Sequence, residues 1–439
     1  MKKFIQTIKN IYKIEELRKR IVYTFLLILV YRLGSFIVLP GIDPSVIAEF
    51  SASMSNRTDA LSLLNMFSGG AFGNVSIFAL GVMPYISASI VVQLLGVFVG
   101  KFRKMQAEES GRRKLNQITR LLTIVILCIQ GPAYISNIMH QYPNAFLVSS
   151  KLYILAATVI LLGGSMFVMW LGERITERGI GNGISLIIMI GIIARLPQAF
   201  MAEVLSKAGS TTGGILLLIV EFVILFFVFV AAIALVQAVR KVPVQYANRV
   251  IGNKQYGGVR QYIPLKVNAS GVMPIIFAPA IMLCPIIFSR FDATRGFAAA
   301  MSNYTGLWYN LVFGFLVIVF TYFYTAVTFQ PNMMAEDMKK NGGFIPGVKP
   351  GKKTMEYLDT IMTRIVLPGS IFLAIIAVLP AIATLCGVNN QFASFYGGTS
   401  LLILVGVVLD TLQQVESHLL MRHYDGLMKT GRLTGRSGM

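Results

Sequence analysis

The side chains best able to do chemistry are few and scattered. The three histidines, His140, His418 and His423, lie among loop and helix ends. None stands at metal-ligand spacing from a carboxylate. The H-E-x-x-H pattern, which puts two imidazoles and a general base on one helical face, does not occur. Cys128, Cys284 and Cys386 all fall in apolar runs and read as small packing residues, not as a disulfide framework or a metal site. Two glycine-rich strings approach nucleotide-binding patterns and miss them. Gly179-Ile180-Gly181-Asn182-Gly183 follows no strand and has the wrong last spacing for a dinucleotide fingerprint. Gly347-Val348-Lys349-Pro350-Gly351-Lys352-Lys353-Thr354 has three residues between its glycines where a P-loop has four, and an extra lysine. No nucleophile stands with a base. The reading is of a chain that is not an enzyme and needs no cofactor or metal.

Three ionisable residues, Arg32, Glu221 and Asp410, interrupt apolar runs. A charge at mid-membrane costs about 2.5–3.5 kcal/mol on insertion scales, so each is a functional candidate by default. Two readings stand open. Glu221 and Asp410 form a proton or cation site, or the charges serve structural pairing, with Arg32 and Asp410 near the membrane edges. A proton-coupled transporter would carry more buried charge, which favours pairing.

The elements that hold these residues are blocks, not faces. The chain is 55% hydrophobic and 13% charged, against about 25% charged for soluble domains. Ten apolar blocks are long enough to cross a bilayer, about 20 residues each: Ile21–Leu39, Val75–Val99, Ile118–Met139, Leu152–Leu171, Ile184–Phe200, Gly214–Gln237, Val267–Phe288, Gly306–Phe329, Ile361–Leu385 and Thr399–Met421. The net charge of +20 invites a nucleic-acid reading. Its distribution argues otherwise. With a cytoplasmic N-terminus, 32 of the 39 Lys and Arg fall in loops on one side. That bias fixes ten spans with both ends cytoplasmic. Blocks such as Lys101-Phe102-Arg103-Lys104 and Arg112-Arg113-Lys114 serve retention first, with anionic lipid or an RNA-rich partner as the sharper alternative. In residues 1–20, Phe4, Ile8, Ile11 and Tyr12 share one helical face among lysines, which suits a helix lying in the interface rather than a cleavable signal.

A repeat organises the blocks. Gly81-Val82-Met83-Pro84-Tyr85-Ile86 returns as Gly271-Val272-Met273-Pro274-Ile275-Ile276 in the second and seventh blocks. Each copy places a proline where it is expected to kink a spanning helix. Matching rank in two halves points to internal duplication with something built between them. Before the second block, Leu61–Phe67 is too short to span, and three glycines from Gly69 to Gly73 follow it. Irregular backbone of this kind is tolerable outside the membrane or in a protein-lined cavity. It is either an exterior loop with a short surface helix or a re-entrant half-helix, followed by a full helix from Val75.

Several longer strings converge on one family. They are Leu33-Gly34-Ser35-Phe36, Leu39-Pro40-Gly41-Ile42-Asp43, Asn65-Met66-Phe67-Ser68-Gly69-Gly70, residues 76–90, Glu109-Ser110-Gly111-Arg112-Arg113-Lys114, residues 175–185, Pro264-Leu265-Lys266-Val267-Asn268 and residues 396–403. Together, from the N-terminal helix to the last span, they resemble the SecY family, the channel-forming subunits of the bacterial Sec protein translocase.

The resemblance implies an all-α polytopic fold of ten transmembrane helices in two pseudo-symmetric five-helix halves around a central pore. The halves would be 21–200 and 201–421, after an N-terminal helix at 1–20 and before a cytoplasmic tail at 422–439. A re-entrant plug at about 60–73 would include Leu61, Leu63, Leu64, Asn65, Met66, Phe67, Gly69 and Gly70. The pore ring would be Val82, Ile86, Ile184, Ile188, Ile276 and Ile403. Branched aliphatic side chains grip no particular passenger and hinder leakage by dewetting. A lateral gate between spans two and seven would place Ser87, Gln130 and Asn268 at its seam. Hydrogen bonds there would be worth about 0.6–2 kcal/mol, weak enough for an apolar signal helix to displace. Cytoplasmic loops at about 238–264 and 330–358 would dock partners through Lys241, Arg249, Lys254, Arg260, Lys339, Lys340, Lys349, Lys352 and Lys353.

The implied function is passage of unfolded secretory proteins across the bacterial plasma membrane, with sideways release of signal sequences and membrane helices. The implied partners are the SecE and SecG small subunits, the SecA motor ATPase, the ribosome with its rRNA, signal peptides, nascent chains and membrane lipids, with YidC and SecDF as further candidates. The family usually carries arginine where this chain has Lys349, which loses the planar fork for bidentate bonding. Gly252-Asn253-Lys254 is also less basic than usual. The alternative is a secondary transporter with inverted repeats and a discontinuous helix. An aliphatic cavity lining marks the channel, an ionisable one the transporter.

Overall fold

The computed structural model of the chain describes residues 14–47, 50–51, 65–147, 151–208, 214–246, 249–251, 254–256, 260–271, 273–282, 296, 301 and 305–430. The interfacial positions Phe4, Ile8, Ile11 and Tyr12, as well as Cys284, lie outside them. In chain order the helices are α1 Glu15–Gly34, α2 Met83–Phe98, α3 Gly100–Ala107, α4 Glu109–Gln141, α5 Lys151–Arg178, α6 Gly183–Ala208 and α7 Gly214–Gln237. Strands β1 Val239–Tyr246, β2 Arg249–Ile251, β3 Lys254–Tyr256 and β4 Arg260–Lys266 follow. Then come α8 Met273–Met282, α9 Leu307–Thr328, α10 Pro331–Lys340, β5 Gly343–Phe344, α11 Lys352–Leu385, α12 Asn390–Ala393 and α13 Gly398–Thr430.

The chain divides into two compact units. One comprises Met1–Ser55, Leu63–Arg195 and Val407–Met439; the other comprises Asn56–Ser62 and Leu196–Gly406. In the first, α4 packs on α2, α3 and α5, and α1 packs on α5. In the second, α9 packs on α8 and α11, while α11 also meets α7, α10 and α12.

Among the described residues, seven helices are long and apolar enough to cross a membrane. Their surfaces carry apolar side chains that water would not tolerate in such density. Leu152, Leu155 and Val159 on α5 are exposed, as are Ile215, Leu216, Phe226 and Phe227 on α7. Contiguous exposure on this scale belongs against lipid.

Two features depart from the sequence reading. The second apolar block is not a helix from Val75. Residues 75–82 run through turns, and α2 starts only at Met83. The backbone there is committed elsewhere: Leu39 N donates to Val75 O at 3.0 Å and Ile77 N to Ile37 O at 3.0 Å. Gly81 then takes a left-handed φ of +51°. Pro84 therefore stands in the first turn of α2, where its missing N–H is one of the helix's orphan donors and causes no kink. The second hexapeptide does the same. Gly271 has φ +64° and α8 opens at Met273 with Pro274 next. The repeat encodes a turn followed by a helix start, not a bent helix.

The second departure is a sheet. Residues 239–266, read as a loop, pair β1 with β4 in antiparallel register from Val239↔Lys266 to Gln245↔Arg260. β5 adds at the other edge, giving the order β4-β1-β5. β2 and β3 form a separate hairpin. Val242 and Val244 on β1 point inward with Leu265, onto Met338, Ile345, Leu358, Met362 and Val366. Period-two burial of this kind is a strand signature. It gives residues 239–266 and 330–366 a small hydrophobic core of their own.

Candidate functional site

The segment between α1 and α2 is built of backbone held by side chains. Asn65–Phe67 forms one helical turn and residues 68–75 continue in turns. Gly69 and Gly70, at φ +65° and +92°, end the helical turn. Asn65 and Ser68 replace the lost ladder. Asn65 O accepts from Gly70 N at 2.9 Å, and Asn65 Oδ1 accepts from Gly73 N at 2.8 Å. Ser68 Oγ accepts from Phe72 N at 3.0 Å and donates to Asn65 O at 3.1 Å.

This segment is seated against its own unit. Tyr31 Oη of α1 donates to Ser68 O at 3.2 Å. Arg32 Nη1 donates to Gly69 O at 2.8 Å. Tyr134 Oη of α4 donates to Phe72 O at 2.6 Å, and the Phe72 and Tyr134 rings pack 4.7 Å apart. On the α6 side, backbone meets backbone. A Cβ on Gly69 would stand 2.7 Å from Gly191 Cα, and one on Gly191 would stand 2.8 Å from Phe67 O. Arg195, one turn further along α6, lies beside Gly70. The charge-assisted bond from Arg32 is worth about 1.5–3 kcal/mol and each neutral one about 1 kcal/mol. That is enough to hold a short segment and little enough to release it. Asn65, Met66, Phe67, Gly69 and Gly70 are all buried; Leu61, Leu63 and Leu64 lie outside the described residues.

The expected ring residues sit at helix starts. In the first unit, Val82 caps α2 and is buried, and Ile86 follows one turn later, half-buried. Ile184 and Ile188 occupy the same spacing in the first turns of α6, half-buried and buried. Residues four apart share a helical face, so each helix offers an aliphatic pair. In the second unit, Ile276 lies half-buried on α8 and Ile403 is buried on α13.

The expected gate residues are engaged locally. Ser87 Oγ donates to Met83 O of its own helix at 3.1 Å. Asn268, before α8, is buried and accepts from Ser270 Oγ at 3.1 Å. Gln130 is exposed on α4.

The basic residues expected to dock partners lie on and beside the small sheet. Lys241 is exposed on β1, Lys339 and Lys340 end α10, and Lys349, Lys352 and Lys353 precede or open α11, all exposed. Lys353 pairs with Glu356 at 3.1 Å. Arg249, Lys254 and Arg260 lie on β2, β3 and β4.

Of the three charges in apolar runs, Arg32 is spent on Gly69, Glu221 pairs with Lys207 at 2.9 Å, and Asp410 is exposed on α13. Cys128 and Cys386 are free and exposed.

The SecY family profile matches residues 76–412. Over 454 aligned residues the chain is 39% identical to the protein translocase subunit SecY of Chlamydia trachomatis, covering 98% of this chain and 99% of that one. The chain belongs to the SecY family. The Thermotoga maritima SecY subunit is 40% identical over 439 residues, with 98% and 99% covered. Among solved structures, one described as a protein-conducting channel aligns with a TM-score of 0.58 at 17% identity, covering 95% of both chains. A SecY structure, described as one in which the plug domain stabilises the closed state and maintains a membrane seal, aligns with a TM-score of 0.60 at 17% identity and the same coverage. At such identity the structural likeness is one of fold: an all-α polytopic membrane protein of the SecY type.

Sequence reasoning missed Tyr31, Tyr134, Gly191 and Arg195 as neighbours of the SecY-like segment. Their types carry no motif; only the fold brings them to Asn65–Gly73. It also missed Glu203 and Lys207, because α6 runs eight residues past the predicted end of the fifth span at Phe200.

Proposed function

We propose that this chain is the channel-forming subunit of a protein translocase. It passes unfolded secretory proteins across the bacterial plasma membrane and releases signal sequences and membrane helices sideways into lipid. The observation that carries this reading is the near full-length likeness to protein translocase subunits at 39–40% identity. In this reading Asn65–Gly73, with the preceding residues from about 60, is the plug. The seat formed by Tyr31, Arg32, Tyr134 and Gly191 supports that role, since its few hydrogen bonds can be released without unfolding α1, α4 or α6.

In this reading Val82, Ile86, Ile184, Ile188, Ile276 and Ile403 supply the aliphatic constriction. Ser87, Gln130 and Asn268 line the gate where spans two and seven part. Both termini are cytoplasmic. The sheet-borne lysines then face the cytoplasm, where they receive the SecA motor or the ribosome. A solved ribosome–channel complex containing canine Sec61 shares this fold, with a TM-score of 0.54. SecE and SecG complete the membrane complex, and the driving energy comes from the partners.

The test is reconstitution. Vesicles holding this chain with its small subunits, supplied with the motor and ATP, should make a signal-bearing precursor protease-resistant. A precursor that stays fully digestible, while the same vesicles bind the motor, would contradict the reading.

A further inference from the structure

The string Gly179-Ile180-Gly181-Asn182-Gly183 connects α5 to α6 and leads straight into the helical turns that carry Ile184 and Ile188. Its packing leaves no room for side chains at the glycines. Gly181 takes a left-handed φ of +80°, and a Cβ there would stand 3.0 Å from Thr411 Oγ1 of α13. A Cβ on Gly183 would run into the Gly172 carbonyl of α5. Gly172 in turn makes space for Ile184, whose Cγ1 would lie 2.9 Å from a Cβ at that position.

A connector packed this closely must place each of its backbone N–H groups. Gly179 N stays with α5, donating to Ile175 O at 2.7 Å. Beyond it the acceptors are side chains. Ile180 N donates to Thr24 Oγ1 of α1 at 3.2 Å. Gly181 N donates to Gln414 Oε1 of α13 at 2.8 Å. Gly183 N donates to Thr176 Oγ1 of α5 at 2.9 Å. Ser185 N donates to Asn182 Oδ1 at 3.4 Å, which caps α6. Thr24 and Thr176 also donate to their own helices, to Arg20 O at 2.8 Å and Gly172 O at 2.9 Å. Gln414 differs from them: it stands on an exposed part of α13, yet its oxygen serves a buried glycine. Connector, Thr24 and Gln414 all belong to the first unit.

We propose that Gln414 is a positioning residue for the aliphatic ring, holding the Gly181 N–H so that α6 starts where Ile184 and Ile188 are correctly placed. The proposal rests on the reading of those two residues as ring members. The lever is short. Asn182 and Gly183, the cap and first residue of α6, are all that separate Gly181 from Ile184. Without the glutamine oxygen the Gly181 donor is left buried and unpaired, which the backbone relieves by turning. Ile184 and Ile188 share one helical face, so a turn at the start of α6 moves both.

Hydrogen exchange and resting ion conductance of the full chain with its small subunits, reconstituted in lipid, test this together. Gln414→Met keeps the stem and removes the acceptor, whereas Gln414→Glu keeps an acceptor oxygen. Gln413→Met, at the exposed neighbouring position, is the control. In Gln414→Met, exchange at residues 180–183 should quicken about two- to ten-fold, the equivalent of one neutral hydrogen bond, and the resting leak should rise. Gln414→Glu and Gln413→Met should match wild type in both. Ile188→Ser reads the ring directly: its leak should rise while exchange at 180–183 stays as in wild type. Unchanged exchange in Gln414→Met overturns the proposal, as does quickened exchange with a wild-type leak. A leak raised equally in Gln414→Glu also overturns it, since the acceptor would then be irrelevant. A wild-type leak in Ile188→Ser overturns the ring reading itself, and the role of Gln414 with it.

Discussion

Arg32 donates to the Gly69 carbonyl at 2.8 Å while its guanidinium lies 4.8 Å over the Phe36 ring. Both contacts depend on a planar cation at the end of a long apolar stem. Arg32→Met keeps the stem and removes the donor. It should cost the seat about 1.5–3 kcal/mol, which corresponds to a roughly ten- to hundred-fold larger population of released plug. Single-channel recording in planar bilayers should then show more frequent resting conductance; a leak as low as wild type would show that Arg32 does not hold the segment. Gly191 tests the opposite side. Gly191→Val places branched carbons where the Phe67 carbonyl and Gly69 amide already stand. It should raise the leak as much or more, while Gly163→Ala, facing open space on α5, should leave it unchanged.

At the scale of elements, the sheet β4-β1-β5 stands on α10 and α11 through one small core. Leu358, fully buried in it, is the natural probe. Leu358→Ala should cost about 2–5 kcal/mol, felt locally. Hydrogen exchange should speed up in β1 and β4 and stay unchanged in α4 and α5; uniform change across all four would show that this core is not a separate cooperative unit. These elements were unequally legible in the sequence. Helices α4, α5, α7, α9 and α11 were plain because their apolar blocks exceed the bilayer length. The start of α2 was not, because Val75–Val82 is as apolar as a helix yet its backbone pairs with residues 37–39. The sheet was not, because its inward residues, Val242, Val244 and Leu265, are too few and too interleaved with charge to register as strands inside a basic loop.

For the whole molecule, the family was legible from long strings such as Ser76–Ile90 and Ile175–Ser185; the plug and the aliphatic ring are what that family resemblance implies. What remained hidden were partners joined only by folding: Tyr31 to the Ser68 carbonyl, Arg32 to the Gly69 carbonyl, and Gly191 to Gly69. Each pairing spans tens of residues and joins unremarkable residue types, so no local pattern announces it. The central claim is that a polypeptide passes through this chain along its aliphatic ring. The direct measurement is site-specific photo-crosslinking of a precursor arrested in transit, with the photoreactive residue placed at Ile188, at Ile403, or at lipid-exposed Val159 on α5. The account predicts crosslinks to the precursor from Ile188 and Ile403 and none from Val159. Crosslinks from Val159 with none from Ile188 or Ile403 would contradict it.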